Sequence, residues 1–121
     1  MKLSILMPVY NEAAFVGNAI KQALDVTYPC EVELVVVDDG SRDGTAEVLE
    51  AIDDPRVVVE AHPRNRGKGA AIRTAADVAT GDYMVILDAD LEYDPQDIPK
   101  LLEPVLDGRA TVVYGNRTFG S

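Results

Sequence analysis

The sequence predicts an α/β protein with a mostly parallel open sheet and helices on both faces. Apolar segments typical of strands alternate with segments whose apolar residues recur at helical spacing. One apolar segment, residues 34–37, is an unbroken Leu-Val-Val-Val run, which is typical of a strand buried on both faces. The connections are short, and a βαβα order with short connections favours parallel strands covered by helices.

The strands are predicted from short apolar runs and the helices from their spacing. Five runs have the character of strands: residues 3–9, 33–37, 57–59, 83–87 and 111–114. Three segments show a helical apolar face: residues 13–24, 45–52 and 68–79. Gly81 is predicted to cap the third of these helices. A fourth helix begins at Asp94-Pro95, a good N-cap pair, and Pro104 should kink or end it.

Composition excludes several classes of protein. The 121 residues suffice for one domain, and the net charge of -10 argues against a nucleic-acid-binding surface. Cys30 is the only cysteine, so no disulfide framework or thiolate metal site is expected. No apolar run approaches the roughly 20 residues of a membrane span, and no signal peptide is recognised, so we expect a cytoplasmic protein.

Acidic residues follow the second and fourth predicted strands. Ligands of open parallel sheets bind beyond the carboxyl ends of the strands. Carboxylates about 4 Å apart repel each other by roughly 4 kcal/mol at an effective dielectric of about 20, and a hard divalent cation would relieve this repulsion. The acidic residues in question are Asp38, Asp39, Asp88 and Asp90.

Each acidic segment also has a structural interpretation. Asp88-Ala89-Asp90 alone would be read first as a turn whose carboxylates cap backbone amides. The residues after Asp38-Asp39-Gly40, namely Ser41, Asp43 and Thr45, either cap the next helix or belong to a segment that holds a ribose or base. His62, the only histidine, is predicted to be a surface loop residue rather than a catalytic base.

Two common phosphate-binding motifs are absent from the sequence. Gly67-Lys68-Gly69 lacks the spacing and the Ser or Thr of a P-loop, and no Gly-x-Gly-x-x-Gly follows the first strand. Arg64, Arg66 and Lys68 either face phosphate or are solvated loop charges.

Four segments in order resemble a known enzyme family. They are Pro8-Val9-Tyr10-Asn11-Glu12, then Val36 to Ser41 with Asp43 and Thr45, then Asn65-Arg66-Gly67-Lys68-Gly69, then Asp88-Ala89-Asp90. This series resembles the family 2 glycosyltransferases of the GT-A fold, whose nucleotide-binding half is Rossmann-like. Residues 67–97, with Gly115-Asn116-Arg117, are most similar to the polyprenol- or dolichol-phosphate mannose and glucose synthases.

The resemblance implies roles for individual residues. Pro8, Tyr10, Glu12 and Asp39 would contact the nucleotide, with Lys68 near phosphate. Asp88 and Asp90 would serve a Mg²⁺ or Mn²⁺ ion and the donor diphosphate. Glu92 stands where relatives often have Gln as a further metal ligand, and Arg117 would hold a phosphate; Asp90 and Arg117 would thus be the catalytic residues.

The resemblance also implies a reaction and partners. The implied reaction is an inverting transfer of a sugar from a GDP- or UDP-sugar to polyprenyl phosphate. The full protein would then be a peripheral protein at the inner membrane face. Because family members continue past Ser121, residues 1–121 are expected to be the nucleotide-sugar-binding part of a C-terminally incomplete domain. Apolar surface at Val112-Val113-Tyr114 would then be uncovered, and homo-oligomerisation is one way to cover it.

Three alternatives stay open at this point. A fragment of this family could bind nucleotide without transferring a sugar. A receiver-type signalling domain also uses acidic residues and Mg²⁺, but here the acidic pair follows the second strand rather than the first, and the expected late lysine is absent. A nucleotidyltransferase would need a glycine-rich loop after the first strand, and residues 8–12 contain no glycine.

Overall fold

A computed structural model describes residues 1–90 and 92–111 as a parallel sheet covered by helices. The strands are β1 (Lys2–Val9), β2 (Glu31–Asp39), β3 (Val57–His62) and β4 (Tyr83–Ile86). The helices are α1 (Val16–Asp25), α2 (Thr45–Glu50), α3 (Lys68–Val78) and α4 (Ile98–Leu106), and a 3₁₀ turn, Pro95–Asp97, precedes α4.

The four described strands lie in the order β3-β2-β1-β4, and every pairing is parallel. Strands β1 and β2 are therefore central, which is why both are almost entirely buried. The unbroken apolar run in β2 correctly predicted its central position. The predicted fold class is confirmed.

Helices cover both faces of the sheet. On one face, α3 presents Ala71 and Ala75 to Leu6, Val35 and Val37. Small alanine side chains let α3 lie close to the sheet. The other face packs against α1, α2 and α4 through residues that include Ile20, Leu49 and Leu102. None of the helices in the described residues is long and apolar enough to cross a membrane.

The structure corrects several predicted boundaries. Helix α1 begins at Val16 rather than at residue 13, because Glu12 O accepts hydrogen bonds from Phe15 N and Val16 N in a preceding turn. Phe15, which lies within the predicted helix 13–24, precedes α1 and is exposed. Asp94 does cap the next helical segment, since its side chain accepts from Gln96 N, and α4 ends at Leu106, just after Pro104.

Gly81 does not cap α3, which ends at Val78 and is followed by the extended residue Ala79. Instead, Gly81 lies against β1, where an added Cβ would stand 2.5 Å from Ser4 Oγ. The predicted strand at residues 111–114 is described only at Thr111, which lies in a bend, and the apolar segment 112–114 lies outside the described residues.

Candidate active site at the carboxyl edge of the sheet

The strands end around a cleft of about 380 Å³. The cleft lies beside β1, where the strand order reverses, because β2 and β3 continue to one side of this strand and β4 lies on the other. Ligands of open α/β sheets bind at such switch points. The cleft brings together seven residues that the sequence predicted for the site: Pro8, Tyr10, Glu12, Asp39, Lys68, Asp88 and Asp90.

Asp39 ends β2 and is held by three hydrogen bonds. Its Oδ1 accepts from His62 Nδ1 at 2.7 Å and from Arg66 N at 2.9 Å, and its Oδ2 accepts from Gly67 N at 2.9 Å. Burial alone would raise the pKa of this carboxyl group, which is only 3% exposed. The hydrogen bonds outweigh burial and lower the pKa, so Asp39 is a fixed carboxylate at neutral pH.

His62 is buried, so its prediction as a surface loop residue is wrong. Strand β3 continues through His62 instead of ending at residue 59, and its register places His62 opposite Asp39. The His62 side chain is 5% exposed, and its Nε2 lies 2.8 Å from Thr74 Oγ1 on α3. Sequence reasoning missed both His62 and Thr74. The register of β3 against β2 would have indicated the contact of His62 with Asp39.

The segment after Asp39 holds the loop that follows β1. Ser41 Oγ accepts from Asn11 N at 2.8 Å, and Thr45 Oγ1 accepts from Glu12 N at 3.1 Å. The cap residue of α2 is Gly44, which has no side-chain cap bond. Asp43 does accept from Thr45 N at 3.1 Å, as a capping residue would. The capping interpretation therefore describes this segment only in part.

Asp88 and Asp90 stand on the opposite wall of the cleft. Asp88 Oδ1 lies 2.8 Å from Lys68 Nζ, and these side chains are 30% and 60% exposed. Asp90 is exposed, and its Oδ1 accepts from Glu92 N at 3.0 Å. Partial burial raises the pKa of nearby Glu12, and the negative charges of Asp90 and Asp88 add to this effect, so this wall concentrates negative charge.

The four acidic residues lie on one edge of the sheet but do not form one metal-binding cluster. In residues 1–90 and 92–111, no three His, Cys, Asp or Glu side chains are placed to hold one ion. Asp38 is buried and its Oδ1 accepts from Ser41 N in the turn after β2, while Asp39 is engaged by His62 and two amides.

Asp88 and Asp90 nevertheless fit a divalent cation. Mg²⁺ takes one or two carboxylates and completes its shell with water and substrate phosphate. Two accessible carboxylates at a cleft with excess negative charge meet this requirement. Glu92, the third predicted ligand, lines a neighbouring hollow with Gln22 and Asp25. Arg117 lies outside the described residues.

Comparison with known proteins identifies the family. The family described as "Glycosyl transferase family 2" matches residues 4–121 of this chain. The chain belongs to glycosyl transferase family 2. The resemblance inferred from the four motifs is thereby confirmed, and the rivals outside this family, the receiver domain and the nucleotidyltransferase, are set aside.

Curated relatives within family 2 are undecaprenyl-phosphate 4-deoxy-4-formamido-L-arabinose transferases. The protein of Aeromonas hydrophila is 35% identical over 88% of this chain and 34% of its own length. That of Pseudomonas fluorescens strain SBW25 is 39% identical over 95% of this chain and 36% of its own length. The chain thus spans about a third of the curated relatives that it matches.

Solved structures from the same fold agree with this assignment. The mannosyltransferase PcManGT from Pyrobaculum calidifontis, in complex with GDP-Man and Mn²⁺, is 33% identical with a TM-score of 0.70, over 78% of this chain and 29% of its own. TarS of S. aureus, in complex with UDP-GlcNAc, is 27% identical with a TM-score of 0.76, over 89% of this chain and 32% of its own. These proteins bind nucleotide sugars with different bases.

Proposed function

We propose that this chain is the nucleotide-sugar-binding part of an inverting family 2 glycosyltransferase that transfers a sugar to a polyprenyl phosphate. The observation that carries the proposal is the cleft at the switch point, which brings together the acidic ends of β2 and β4 with Tyr10 and Lys68. The donor is a GDP- or UDP-sugar, as in PcManGT and TarS.

The β2 side of the cleft holds the nucleoside. Asp39 is ionised and fixed, so it accepts an N–H or O–H donor of the base or ribose. Tyr10 is exposed in the cleft wall, next to Pro8, and its ring offers an apolar face to a planar base. Glu12, the fourth residue that was predicted to contact the nucleotide, also lines the cleft.

The β4 side holds the diphosphate. Asp88 and Asp90 would hold Mg²⁺ or Mn²⁺, which, when bound, neutralises charge on the departing diphosphate. Lys68 Nζ lies beside Asp88 at the start of α3 and supplies a cation within reach of the same phosphates. Glu92 and Arg117 remain predictions as a further metal ligand and a phosphate ligand.

The acceptor is proposed from the relatives, whose names specify undecaprenyl phosphate. A phosphate acceptor is already ionised at neutral pH, so its oxygen attacks the anomeric carbon without a strong general base. The bond from the anomeric carbon to the diphosphate breaks as the new bond forms on the opposite face, which inverts configuration. Such an acceptor places the full protein at the inner face of a membrane.

Calorimetry of UDP and GDP binding with Mn²⁺ tests the donor site. We expect binding with Mn²⁺ that is lost in EDTA and in Asp90→Ala. Asp77→Ala, which removes an exposed carboxylate from α3 outside the cleft, is the charge-matched control and should bind like the unmodified chain. Equal binding in EDTA, or by Asp90→Ala, would contradict the metal assignment.

A transfer assay separates an active enzyme from a nucleotide-binding fragment. This second candidate is favoured by one observation, that the chain spans about a third of its curated relatives. Radiolabelled sugar should pass from donor to undecaprenyl phosphate in the presence of Mn²⁺ if the chain is active. Nucleotide binding without sugar transfer would identify the chain as a nucleotide-binding fragment.

A further inference from the structure

We propose that His62 is a positioning residue of the donor site, which fixes the Asp39 carboxylate for the nucleotide through its Nδ1–H···Oδ1 hydrogen bond. The proposal rests on the proposed function, since Asp39 is there assigned to the nucleotide. The residues that carry it are the buried His62 ring at the end of β3, Asp39 at the end of β2, and Thr74 on α3.

The hydrogen bonds leave Asp39 one acceptor position. A carboxylate offers about four lone-pair positions, two on each oxygen. Oδ1 accepts from His62 Nδ1 and Arg66 N, whereas Oδ2 accepts from Gly67 N alone. A ligand N–H or O–H can therefore bind Asp39 only at the remaining position on Oδ2. Rotation of the carboxylate would break these three bonds, so the bond to His62 is one of the three that set the direction of the open position.

The His62 ring is itself fixed at both nitrogens. Because ionised Asp39 only accepts, Nδ1 must carry a proton, and Nε2 faces the Thr74 hydroxyl at 2.8 Å. A hydroxyl both donates and accepts, so Thr74 satisfies Nε2 in the neutral or the charged ring. The bond from His62 to Asp39 is therefore compatible with either charge state of the ring.

His62 differs from the other two partners of Asp39 in the element that carries it. Arg66 and Gly67 belong to the loop before α3, and Gly67 lines the cleft. His62 belongs to β3, which is hydrogen-bonded to β2 along residues 57–62. The ring thus ties the carboxylate to the sheet, and the position of Asp39 does not depend on the loop alone.

Two neutral amide substitutions separate the two bonds of the ring. The amide nitrogen of Asn stands about where Nδ1 stands in His, and that of Gln about where Nε2 stands. His62→Asn keeps a donor for Asp39, whereas His62→Gln keeps a partner for Thr74. With Mn²⁺ and UDP or GDP as the probe, we expect His62→Asn to bind within about threefold of the unmodified chain and His62→Gln to bind about tenfold more weakly.

Thr74→Val is the third variant, and it removes the partner of Nε2 while leaving Nδ1 and Asp39 in place. We expect its nucleotide affinity to stay within about threefold of the unmodified chain. Circular dichroism establishes that each variant is folded before its affinity is measured. If His62→Gln does not fold, His62→Asn and Thr74→Val still test the proposal, because both must retain binding.

The outcomes distinguish the inference from the function on which it rests. If the unmodified chain binds neither UDP nor GDP, the proposed function is wrong and the role of His62 falls with it. If the unmodified chain binds but folded His62→Gln binds equally well, only the inference is overturned. A tenfold loss in folded His62→Asn or Thr74→Val also overturns it, because general packing around the ring would then explain the effect.

Discussion

Asp39 at the end of β2 and Asp88 after β4 border the same cleft but are held in different ways. The side chain of Asp39 is 4% exposed and accepts three hydrogen bonds, from His62, Arg66 and Gly67. The side chain of Asp88 is 30% exposed, and its described ion pair is with a lysine that is 60% exposed. One carboxylate is fixed by the fold, and the other is balanced by a side chain that can move away.

This difference suits the two parts of a nucleotide sugar. A base offers donors in fixed directions, and a fixed acceptor recognises them at little entropic cost. A metal ion and a diphosphate bring their own charge and geometry, so carboxylates with an exchangeable partner can adapt to them. The cleft therefore combines a preorganised side and an adaptable side.

The largest contrast is expected in stability. Asp39→Ala leaves three donors without an acceptor, one of them the buried His62 ring, and should lower the free energy of unfolding by about 3 to 5 kcal/mol. Asp88→Ala, at an exposed ion pair, should change it by less than about 1 kcal/mol. Urea denaturation monitored by circular dichroism measures both values, and similar losses for the two variants would contradict the contrast.

A second contrast concerns the glycine that follows Asp39. Gly40 and Gly108 have φ values of 75° and 74°, so either Gly→Ala substitution meets the same left-handed backbone cost. A Cβ on Gly40 would clash with the backbone of Arg64, whereas a Cβ on Gly108 would have no neighbouring atom within 4 Å. Gly40→Ala should therefore be less stable than Gly108→Ala by about 2 kcal/mol in urea denaturation. Equal stability would mean that the loop at Arg64 moves freely.

A fall in pH should change the contributions of Asp39 and Glu12 to the free energy of unfolding in opposite directions. The pKa of Asp39 is lowered in the folded state, so its stabilisation is present above the unfolded pKa of about 4 and is lost as pH falls through the folded pKa. The pKa of Glu12 is raised by burial and by Asp90, so its contribution grows more favourable as pH falls. Stability measured from pH 7 to about 3 should fall less steeply in Asp39→Asn and more steeply in Glu12→Gln than in the unmodified chain.

The smallest effect on stability is expected at Lys68. Lys68→Met removes the exposed ion pair with Asp88 and should change the free energy of unfolding by less than about 0.5 kcal/mol. Nucleotide affinity should nevertheless fall about fivefold at low ionic strength, with a smaller difference at high salt, because a charge near the phosphates is lost. Lys68→Arg, which keeps the charge, is the control. A loss of nucleotide affinity in Lys68→Met that does not depend on salt would argue against a phosphate role for Lys68.

Much of the fold follows from the sequence because the apolar pattern records burial. The run at residues 34–37 predicted central β2, and residues 68–79 predicted α3 with an error of one residue at its end. Strand β3 was predicted too short because Glu60, which is charged and exposed, interrupts the apolar run that begins at Val57. Gly81 was misassigned because its close approach to Ser4 depends on packing between distant segments, which local patterns do not contain.

The candidate site was predictable where its residues form local motifs and unpredictable where they meet across strands. Pro8, Tyr10, Glu12 and the Asp88-Ala89-Asp90 triplet lie at or just after strand ends, and the structure places them around one cleft. The contact of His62 with Asp39 joins residues that are 23 positions apart and needs the register of β3. Nothing within the sequence near His62 indicated that register.

Strand β4 is a four-residue edge strand that, within the described residues, pairs only with β1. Its Met84 and Ile86 side chains are 56% and 50% exposed, so few apolar contacts oppose its local opening. The amides of β4 should therefore exchange with deuterium faster than those of β1 and β2. Each such opening would displace Asp88 and Asp90 together while Asp39 keeps its place, and a ligand that bridges both sides would slow the exchange.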